Sequence, residues 1–186
     1  MKLSQYIDTT YLKLPSQANI SEEETKANVI KLIEEAIEFD FKLVMITSAN
    51  SNVLIGTVIG FHEGTYSLES KLEEAQKAID LGVDDIDFVV NYEAFKNDET
   101  TLVEEEIIKG TEIGLRNKKV VKWIIEVAAL SNKQIASISG LIKKVVIDTF
   151  GIEKAENVFV KSSTGFYKTK EGKPNGATFE TIKNNV

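Results

Sequence analysis

The sequence lacks cysteine altogether and contains only two prolines and one histidine. Without cysteine, the chain can form neither disulfides nor thiolate metal sites. No stretch approaches the roughly 20 apolar residues that a membrane-spanning helix requires, and the first residues lack the apolar core of a signal peptide. We therefore expect a cytoplasmic protein that does not span a membrane.

Positive charge is also scarce, because 22 lysines and arginines stand against 29 aspartates and glutamates, giving a formal net charge of −7. An acidic chain without a basic run is a poor binder of nucleic acid. A local group of lysines could still bind an anionic small molecule. The 186 residues are enough for one sizeable core but not for two ordinary domains, so we predict a single domain over residues 1–186.

Segments with strand character alternate with segments of helical periodicity. The strand-like segments are residues 6–12, 42–47, 54–61, 85–91, 120–127 and 157–161. Two of the predicted helices begin with capping boxes, Ser21 with Glu24 and Ser131 with Gln134. Repeated βα units predict an α/β fold with a parallel sheet. No GxGxxG or GxxxxGKS/T motif follows a strand, so the nucleotide-binding versions of this architecture are not supported.

Two of the helical segments carry further expectations. In the first, apolar residues at helical spacing predict a helix with an apolar stripe, formed by Leu68, Leu72, Ala75 and Ile79. In the second, over residues 102–115, Gly110 and Gly114 lower the helical propensity of a segment that is otherwise predicted to be a helix.

Charged residues occupy one face of three consecutive strands. Because side chains alternate along a strand, Asp87 lies opposite the apolar face of its strand, Lys122 and Glu126 do so in the next, and Lys161 in the third. Unpaired buried charges are costly, so these groups must interact with one another. At the carboxyl ends of parallel strands such a cluster favours catalysis, although a network of ion pairs that only fixes the register is an open alternative.

Residues 160–166, VKSSTGF, resemble the K-T-S-T-G-F motif of the deoxyribose-phosphate aldolase family. Further segments resemble motifs of the same family in the same order, namely IDTTYLK at 7–13, TVIGF at 57–61, KLEEA at 71–75, DIDFVVN at 85–91, KWIIE at 122–126 and GAT at 176–178. Each motif alone is weak, but the ordered series is specific. The resemblance implies a parallel (β/α)8 TIM-type barrel, of which about six βα units are visible.

The resemblance also implies roles for individual residues. Lys161 would form a Schiff base with an aldehyde, Asp87 would relay protons, and Lys122 would balance charge in the site. Thr164 and Gly165 would lie near the phosphate of the substrate. The implied reaction is the reversible cleavage of 2-deoxyribose 5-phosphate to glyceraldehyde 3-phosphate and acetaldehyde. An imine serves as the electron sink for this cleavage, so no metal or other cofactor is implied.

The sequence departs from the family in three places. His62 stands where the family usually has proline, and we interpret it as a loop residue. Only residues 48–53 separate the second and third strands, whereas a parallel crossover needs about a dozen residues. The lysine and the phosphate-binding glycines of the last two family strands have no counterpart here. A barrel lacking two strands would expose sheet edges, so we expect further residues to complete it, with a reduced, non-catalytic relative as the alternative.

Three rival interpretations remain open. A different Schiff-base barrel enzyme, of the transaldolase or dehydroquinase kind, would differ in substrate. A non-catalytic barrel relative would bind a sugar phosphate or a partner protein without turnover. An open doubly wound binding domain would suit six strands, but it would leave the charges on the strands unexplained. The sequence does not fix the oligomeric state, and a homodimer is one option.

Overall fold

The computed structural model describes residues 8–10, 19–38, 43–45, 54–171, 173–174 and 176–183. The strands are β1 (Asp8–Thr10), β2 (Leu43–Met45), β3 (Leu54–Ile59), β4 (Asp85–Val89), β5 (Val120–Ile124) and β6 (Val158–Lys161). The helices are α1 (Glu22–Glu38), α2 (Leu68–Asp80), α3 (Tyr92–Lys96), α4 (Thr100–Arg116), α5 (Asn132–Phe150), α6 (Ile152–Ala155) and α7 (Phe179–Lys183), and a 3-10 turn covers Val127–Ala129.

The chain forms two compact units, residues 1–57 with 83–85 and residues 58–82 with 86–186. In the first unit, β2 pairs in parallel with β1 and with β3, with Val44 opposite both Thr9 and Ile55. Asp84 is fixed to β3, because its N–H donates to the Ile55 carbonyl oxygen over 2.7 Å and its carboxylate accepts from the Ile55 N–H over 2.8 Å.

Helix α1 begins with the predicted capping box. The N–H and hydroxyl of Ser21 donate to Glu24 Oε2 over 2.9 and 3.0 Å, and the Glu24 N–H donates to Ser21 Oγ over 3.1 Å. Such a cap satisfies N–H groups that have no partner within the helix. The prediction about the short connection at residues 48–53 lies outside the described residues.

In the second unit, β4, β5 and β6 are neighbours in that order, and β5 pairs in parallel with β6, Ile124 standing opposite Lys161. Helix α4 packs against β5 and against α2 and α5. The predicted second capping box begins α5, where Ser131 and Gln134 cap each other. The α/β alternation and the parallel pairing agree with the sequence-based prediction.

The core of the second unit lies where α4 meets β4 and β5. The rings of Phe88 and Trp123 stack with centroids 4.9 Å apart, and the indole N–H of Trp123 donates to Thr111 Oγ1 over 3.1 Å. Both rings are buried. They occupy the helix-facing side of their strands, as the alternation predicted, so the charged side chains of these strands lie on the other face.

Glycines allow α4 to approach the sheet closely. A Cβ atom at Gly110 would lie 2.7 Å from Trp123 Cη2, and one at Gly114 would contact Val121 Cγ2. Real Cβ atoms do not approach other atoms so closely, so a side chain at either position would force α4 or the strand to shift. The two glycines that weaken the helical propensity are therefore required by the packing.

In the part of the chain that the structure describes, every helix is too short or too polar to span a bilayer.

Candidate active site

The structure brings together three of the predicted site residues. Lys161 Nζ donates to Asp87 Oδ2 over 2.7 Å, and Lys122 Nζ lies 3.7 Å from Asp87 Oδ1. The Asp87 side chain is fully buried, whereas the side chains of Lys122 and Lys161 keep 13% and 25% of their surface exposed. One buried carboxylate thus stands between two ammonium groups, and the amine that the motif marks as the nucleophile is the more accessible one.

The strand register explains this convergence. Asp87 is the middle residue of β4, Lys122 is the middle residue of β5, and Lys161 ends β6. Because the three strands are adjacent and their charged residues share a face, long lysine side chains from β5 and β6 can reach the carboxylate on β4. The two ion pairs offset the cost of burying the Asp87 charge.

Glu126 follows the end of β5 and has a different partner from the other charges. Its Oε2 atom accepts a 3.0 Å hydrogen bond from the Thr164 N–H and a second bond from the Thr164 hydroxyl. Burial raises the pKa of Glu126, and the two hydrogen bonds from Thr164 oppose that rise. The expected cluster of two acids and two lysines is therefore divided: both lysines pair with Asp87, and Glu126 holds the loop that follows β6.

That loop, residues 162–166, is called the β6 loop below. The Phe166 N–H donates to Thr164 Oγ1 over 3.1 Å, and Gly165 between them has φ 78°, in the left-handed region that favours glycine. The Phe166 ring packs edge-on against Phe61 at 4.9 Å and stacks on His62 at 6.2 Å. His62 is an exposed loop residue, in agreement with the interpretation from the sequence.

The loop that carries Phe61 and His62, residues 60–64, is itself held by charged side chains, two of them buried, that sequence reasoning missed. Lys71 Nζ donates to the carbonyl oxygens of Gly64 and Val89 over 2.6 and 2.8 Å and forms an ion pair with Glu106. Glu106 Oε2 accepts from the Asn91 N–H over 2.9 Å, and Glu74 Oε2 accepts from the Gly60 N–H over 2.8 Å. These bonds fasten the loop to α2, α4 and the carboxyl end of β4.

A signal for Lys71 is present in the sequence. The residues of α2 that are buried are Lys71, Ala75 and Ala78, spaced four and three apart, so the lysine lies on the inner face of the helix. The predicted helical stripe lies within α2; of its residues Ala75 is buried, and Leu68, Leu72 and Ile79 are half-buried. Small alanines let the helix pack closely, and the larger side chains lie beside this contact.

Tyr92 is a second buried group near the β6 loop that the sequence did not indicate. It begins α3, directly after Asn91, whose side chain caps that helix by accepting from the Ala94 N–H over 3.0 Å. Its ring meets the Tyr167 ring edge-on, with centroids 6.2 Å apart. Burial, aided by the negative charge of Glu126, raises the pKa of Tyr92 to about 12.

A cavity of about 610 Å³ lies elsewhere, beside Arg116, Lys119, Lys154 and Asn157. These residues precede β5 and β6 in the chain, so the cavity lies near the amino ends of these strands, whereas Lys161 is at the carboxyl end of β6. Among the described residues, no group of three or more His, Cys, Asp or Glu side chains could hold a metal ion.

Comparison with known proteins identifies relatives over nearly the whole chain, although no family model matches. The deoxyribose-phosphate aldolase of Mycoplasma mobile is 36% identical over 98% of this chain and 77% of its own length. The deoxyribose-phosphate aldolase of Streptococcus gordonii is 35% identical over 98% of this chain and 76% of its own length. The chain thus spans about three-quarters of the length of these relatives.

Solved structures agree. An aldolase designated QR15 matches 100% of this chain and 76% of its own, with a TM-score of 0.73 and 27% identity. The deoxyribose phosphate aldolase of Aeropyrum pernix, described as having a unique tetrameric structure, matches 98% of this chain and 70% of its own, with a TM-score of 0.70 and 26% identity. These matches confirm the predicted fold class, a parallel TIM-type β/α barrel.

Proposed function

Because the chain belongs to the deoxyribose-phosphate aldolase family, we propose that it acts through a Schiff base on Lys161 and that its substrate is 2-deoxyribose 5-phosphate. The chain is an aldolase, a carbon–carbon lyase. The products of the proposed cleavage are glyceraldehyde 3-phosphate and acetaldehyde. The observation that carries the assignment to Lys161 is its 2.7 Å hydrogen bond to the buried carboxylate of Asp87.

This contact supports a role for Asp87 in proton transfer. A lysine attacks a carbonyl only as the neutral amine, so an ammonium must first give up a proton, and Asp87 is within the distance at which a carboxylate can accept it. The amine then adds to the aldehyde carbon of the open-chain sugar. Loss of water from the carbinolamine requires a proton on the departing hydroxyl, which the protonated Asp87 can return.

Cleavage follows from the electron demand of the imine. The protonated imine withdraws the electron pair of the bond between C2 and C3 as the C3 hydroxyl loses its proton, which releases glyceraldehyde 3-phosphate. The remaining enamine is protonated at C2, and hydrolysis of the resulting imine frees acetaldehyde and Lys161. This sequence needs no metal or cofactor, because the imine nitrogen itself accepts the electron pair.

Lys122 and the β6 loop have supporting roles in the proposal. Lys122 keeps a second positive charge beside Asp87 when Lys161 is consumed in the imine, so the buried carboxylate retains a partner. Thr164 and Gly165 lie in the loop that follows β6 and Lys161, which supports the proposal that this loop faces the phosphate of the substrate. We also propose that the protein acts in the cytoplasm. We further propose that it forms a homodimer, and sedimentation equilibrium would test this oligomeric state.

Reductive trapping tests the nucleophile. The protein is incubated with acetaldehyde or with 2-deoxyribose 5-phosphate, borohydride is added, and peptide masses are measured. We expect one adduct, on Lys161, and none in Lys161→Arg. Lys144→Arg is the control, since Lys144 is an exposed lysine of α5 that pairs with Asp148. An adduct on another lysine would refute the assignment of the nucleophile, and a folded protein without any adduct would refute the Schiff-base mechanism.

A further inference from the structure

Glu126 has an unusual backbone conformation at the end of β5. Its φ of 52° and ψ of 70° lie in the left-handed region, which residues other than glycine rarely adopt. The residues on both sides are fixed, because the Ile125 N–H donates to the Lys161 carbonyl oxygen over 3.0 Å and the Val127 N–H donates to that of Ser162 over 2.9 Å. The surrounding structure therefore imposes this strained conformation.

The conformation directs a fully buried carboxylate at the β6 loop. Glu126 is 0% exposed, and its Oε2 atom accepts both the N–H and the hydroxyl of Thr164. The same hydroxyl oxygen then accepts the Phe166 N–H. A chain of hydrogen bonds thus runs from Glu126 through Thr164 to Phe166 and fixes the loop on both sides of Gly165.

These bonds leave Thr164 with little capacity for a ligand. Its N–H and its hydroxyl proton are both donated to Glu126, and its hydroxyl oxygen accepts from Phe166. A threonine whose donors are used within the protein holds a loop in place rather than binding a substrate. The backbone at Gly165, which is exposed and has no Cβ, is then a part of the β6 loop that an anionic group can approach.

A purely structural role would not explain why the residue is charged. A neutral amide could accept the same two hydrogen bonds without the cost of burying a charge. A carboxylate forms stronger hydrogen bonds than an amide and therefore holds its donors more rigidly. A buried charge that adds rigidity to a loop beside the reactive lysine is typical of a residue kept for function.

We propose that Glu126 is a positioning residue, which holds Thr164 so that the backbone of the β6 loop at Gly165 is preformed to bind the phosphate of the substrate. The inference rests on the proposed function and assigns binding of the phosphate to a loop conformation rather than to a side chain. Its consequence is specific: loss of the Glu126 carboxylate impairs binding of the phosphorylated sugar and spares the imine chemistry on Lys161.

The test compares Glu126→Ala and Glu126→Gln with the wild type on two substrates, 2-deoxyribose 5-phosphate and unphosphorylated 2-deoxyribose, together with trapping of acetaldehyde by borohydride. For Glu126→Ala we expect KM for the phosphorylated sugar to rise by about ten-fold or more, because the hydrogen bonds that hold Thr164 in place are lost. We expect kcat/KM for the unphosphorylated sugar to change less than about three-fold, and acetaldehyde trapping on Lys161 to persist.

Glu126→Gln keeps an acceptor oxygen but loses the charge, so KM for the phosphorylated sugar should rise less than in Glu126→Ala but remain above that of the wild type. Glu153→Gln is the control, because Glu153 is an exposed acid in α6. Equal losses on both sugars in Glu126→Ala, or no loss on either, would overturn the inference. A wild type that traps no acetaldehyde and cleaves neither sugar would overturn the proposed function and this inference with it.

Should Glu126→Ala fail to fold, Thr164→Val examines the same bond from its other end, since valine keeps the shape of threonine without its hydroxyl. The expected result is again a rise in KM confined to the phosphorylated sugar. A loss of the same size on both sugars in Thr164→Val would contradict the proposal.

Discussion

Lys71 and Glu106 form an ion pair that is almost closed to solvent, with 0% and 4% of their side chains exposed. The pair joins α2 to α4, and burial lowers the pKa of Lys71 and raises that of Glu106, while each charge opposes the shift of the other. The two side chains also bond to the backbone: Lys71 donates to the carbonyl oxygens of Gly64 and Val89, and Glu106 accepts from the Asn91 N–H. Neither residue contacts Lys161, so their contribution is to stability and to the loop at residues 60–64.

We expect removal of one partner of this pair to be costly. Glu106→Ala should lower the free energy of unfolding by roughly 3–5 kcal/mol, because it leaves the Lys71 ammonium buried without a counterion. The double variant Lys71→Met with Glu106→Leu should recover part of that loss. Urea unfolding measures both effects.

The control for this pair is Lys144→Met in α5, which breaks the exposed pair with Asp148. It should leave the free energy of unfolding nearly unchanged, because solvent screens an exposed ion pair. Additive losses in the double variant at Lys71 and Glu106 would show that the two side chains are not coupled.

Replacing Asp87 should impair catalysis more than folding. Asp87→Asn removes the charge that pairs with Lys161 and Lys122 and the group proposed to carry the proton. We expect kcat/KM for 2-deoxyribose 5-phosphate to fall by about 10²–10⁴ and borohydride trapping on Lys161 to slow. Asp148→Asn, in an exposed pair, is the control. A folded Asp87→Asn enzyme within about ten-fold of the wild type would exclude Asp87 as the relay.

Replacement by alanine should have opposite effects on stability at Gly110 and at Gly140, because only Gly110 lies where α4 packs on β5. Gly110→Ala places a Cβ atom 2.7 Å from the ring of Trp123, so it should destabilise the protein by roughly 1–3 kcal/mol. Gly140→Ala, in α5, meets nothing within 4 Å and should stabilise it by up to about 1 kcal/mol through helix propensity. The fluorescence of Trp123, the sole tryptophan, follows unfolding of both variants. Equal stabilities would contradict the close approach of α4 to β5.

Tyr92 should make stability fall in alkali. The folded protein keeps the proton up to a pKa of about 12, whereas the unfolded chain loses it near the ordinary value of 10.0. The contribution of Tyr92 to the free energy of unfolding is therefore fully present below pH 10. It is lost as pH rises toward 12, by roughly 2 kcal/mol in total. Urea unfolding of Tyr92→Phe between about pH 9 and about pH 11 should show a shallower decline than the wild type. Tyr66→Phe is the control, because Tyr66 is 55% exposed, and an unchanged slope in Tyr92→Phe would refute this assignment.

Much of the fold could be predicted from local signals. The capping boxes at Ser21 and Ser131 involve residues three apart in sequence, so their presence depends only on the first turn of each helix. Alternation along β4 and β5 correctly predicted that Phe88 and Trp123 face the helices, because it too depends only on residues that are close in sequence. The role of Gly110 was not predictable, because it depends on a ring twelve or more residues away whose approach only the packed structure reveals. That residues 1–186 form a single domain stays a prediction.

The residues of the candidate site likewise differ in how well the sequence predicts them. Asp87, Lys122 and Lys161 were predictable, since strand periodicity and adjacency alone place them on one face. The pairing of Glu126 with Thr164 was not, because it depends on the left-handed conformation at the end of β5, which periodicity does not encode. The ion pair of Lys71 with Glu106 spans 35 residues between two helices, and a charged residue on a buried face gives no indication of its partner.

The complete burial of Lys71 makes this side chain a natural reporter for chemical labelling. A lysine-acylating reagent needs an accessible amine, so in the folded protein it can reach the 25% exposed side chain of Lys161 but not that of Lys71. Label can appear on Lys71 only when α2 separates from α4 and the loop at residues 60–64 opens. The rate at which Lys71 becomes modified would thus measure the frequency of that opening in the intact protein, without a probe being introduced.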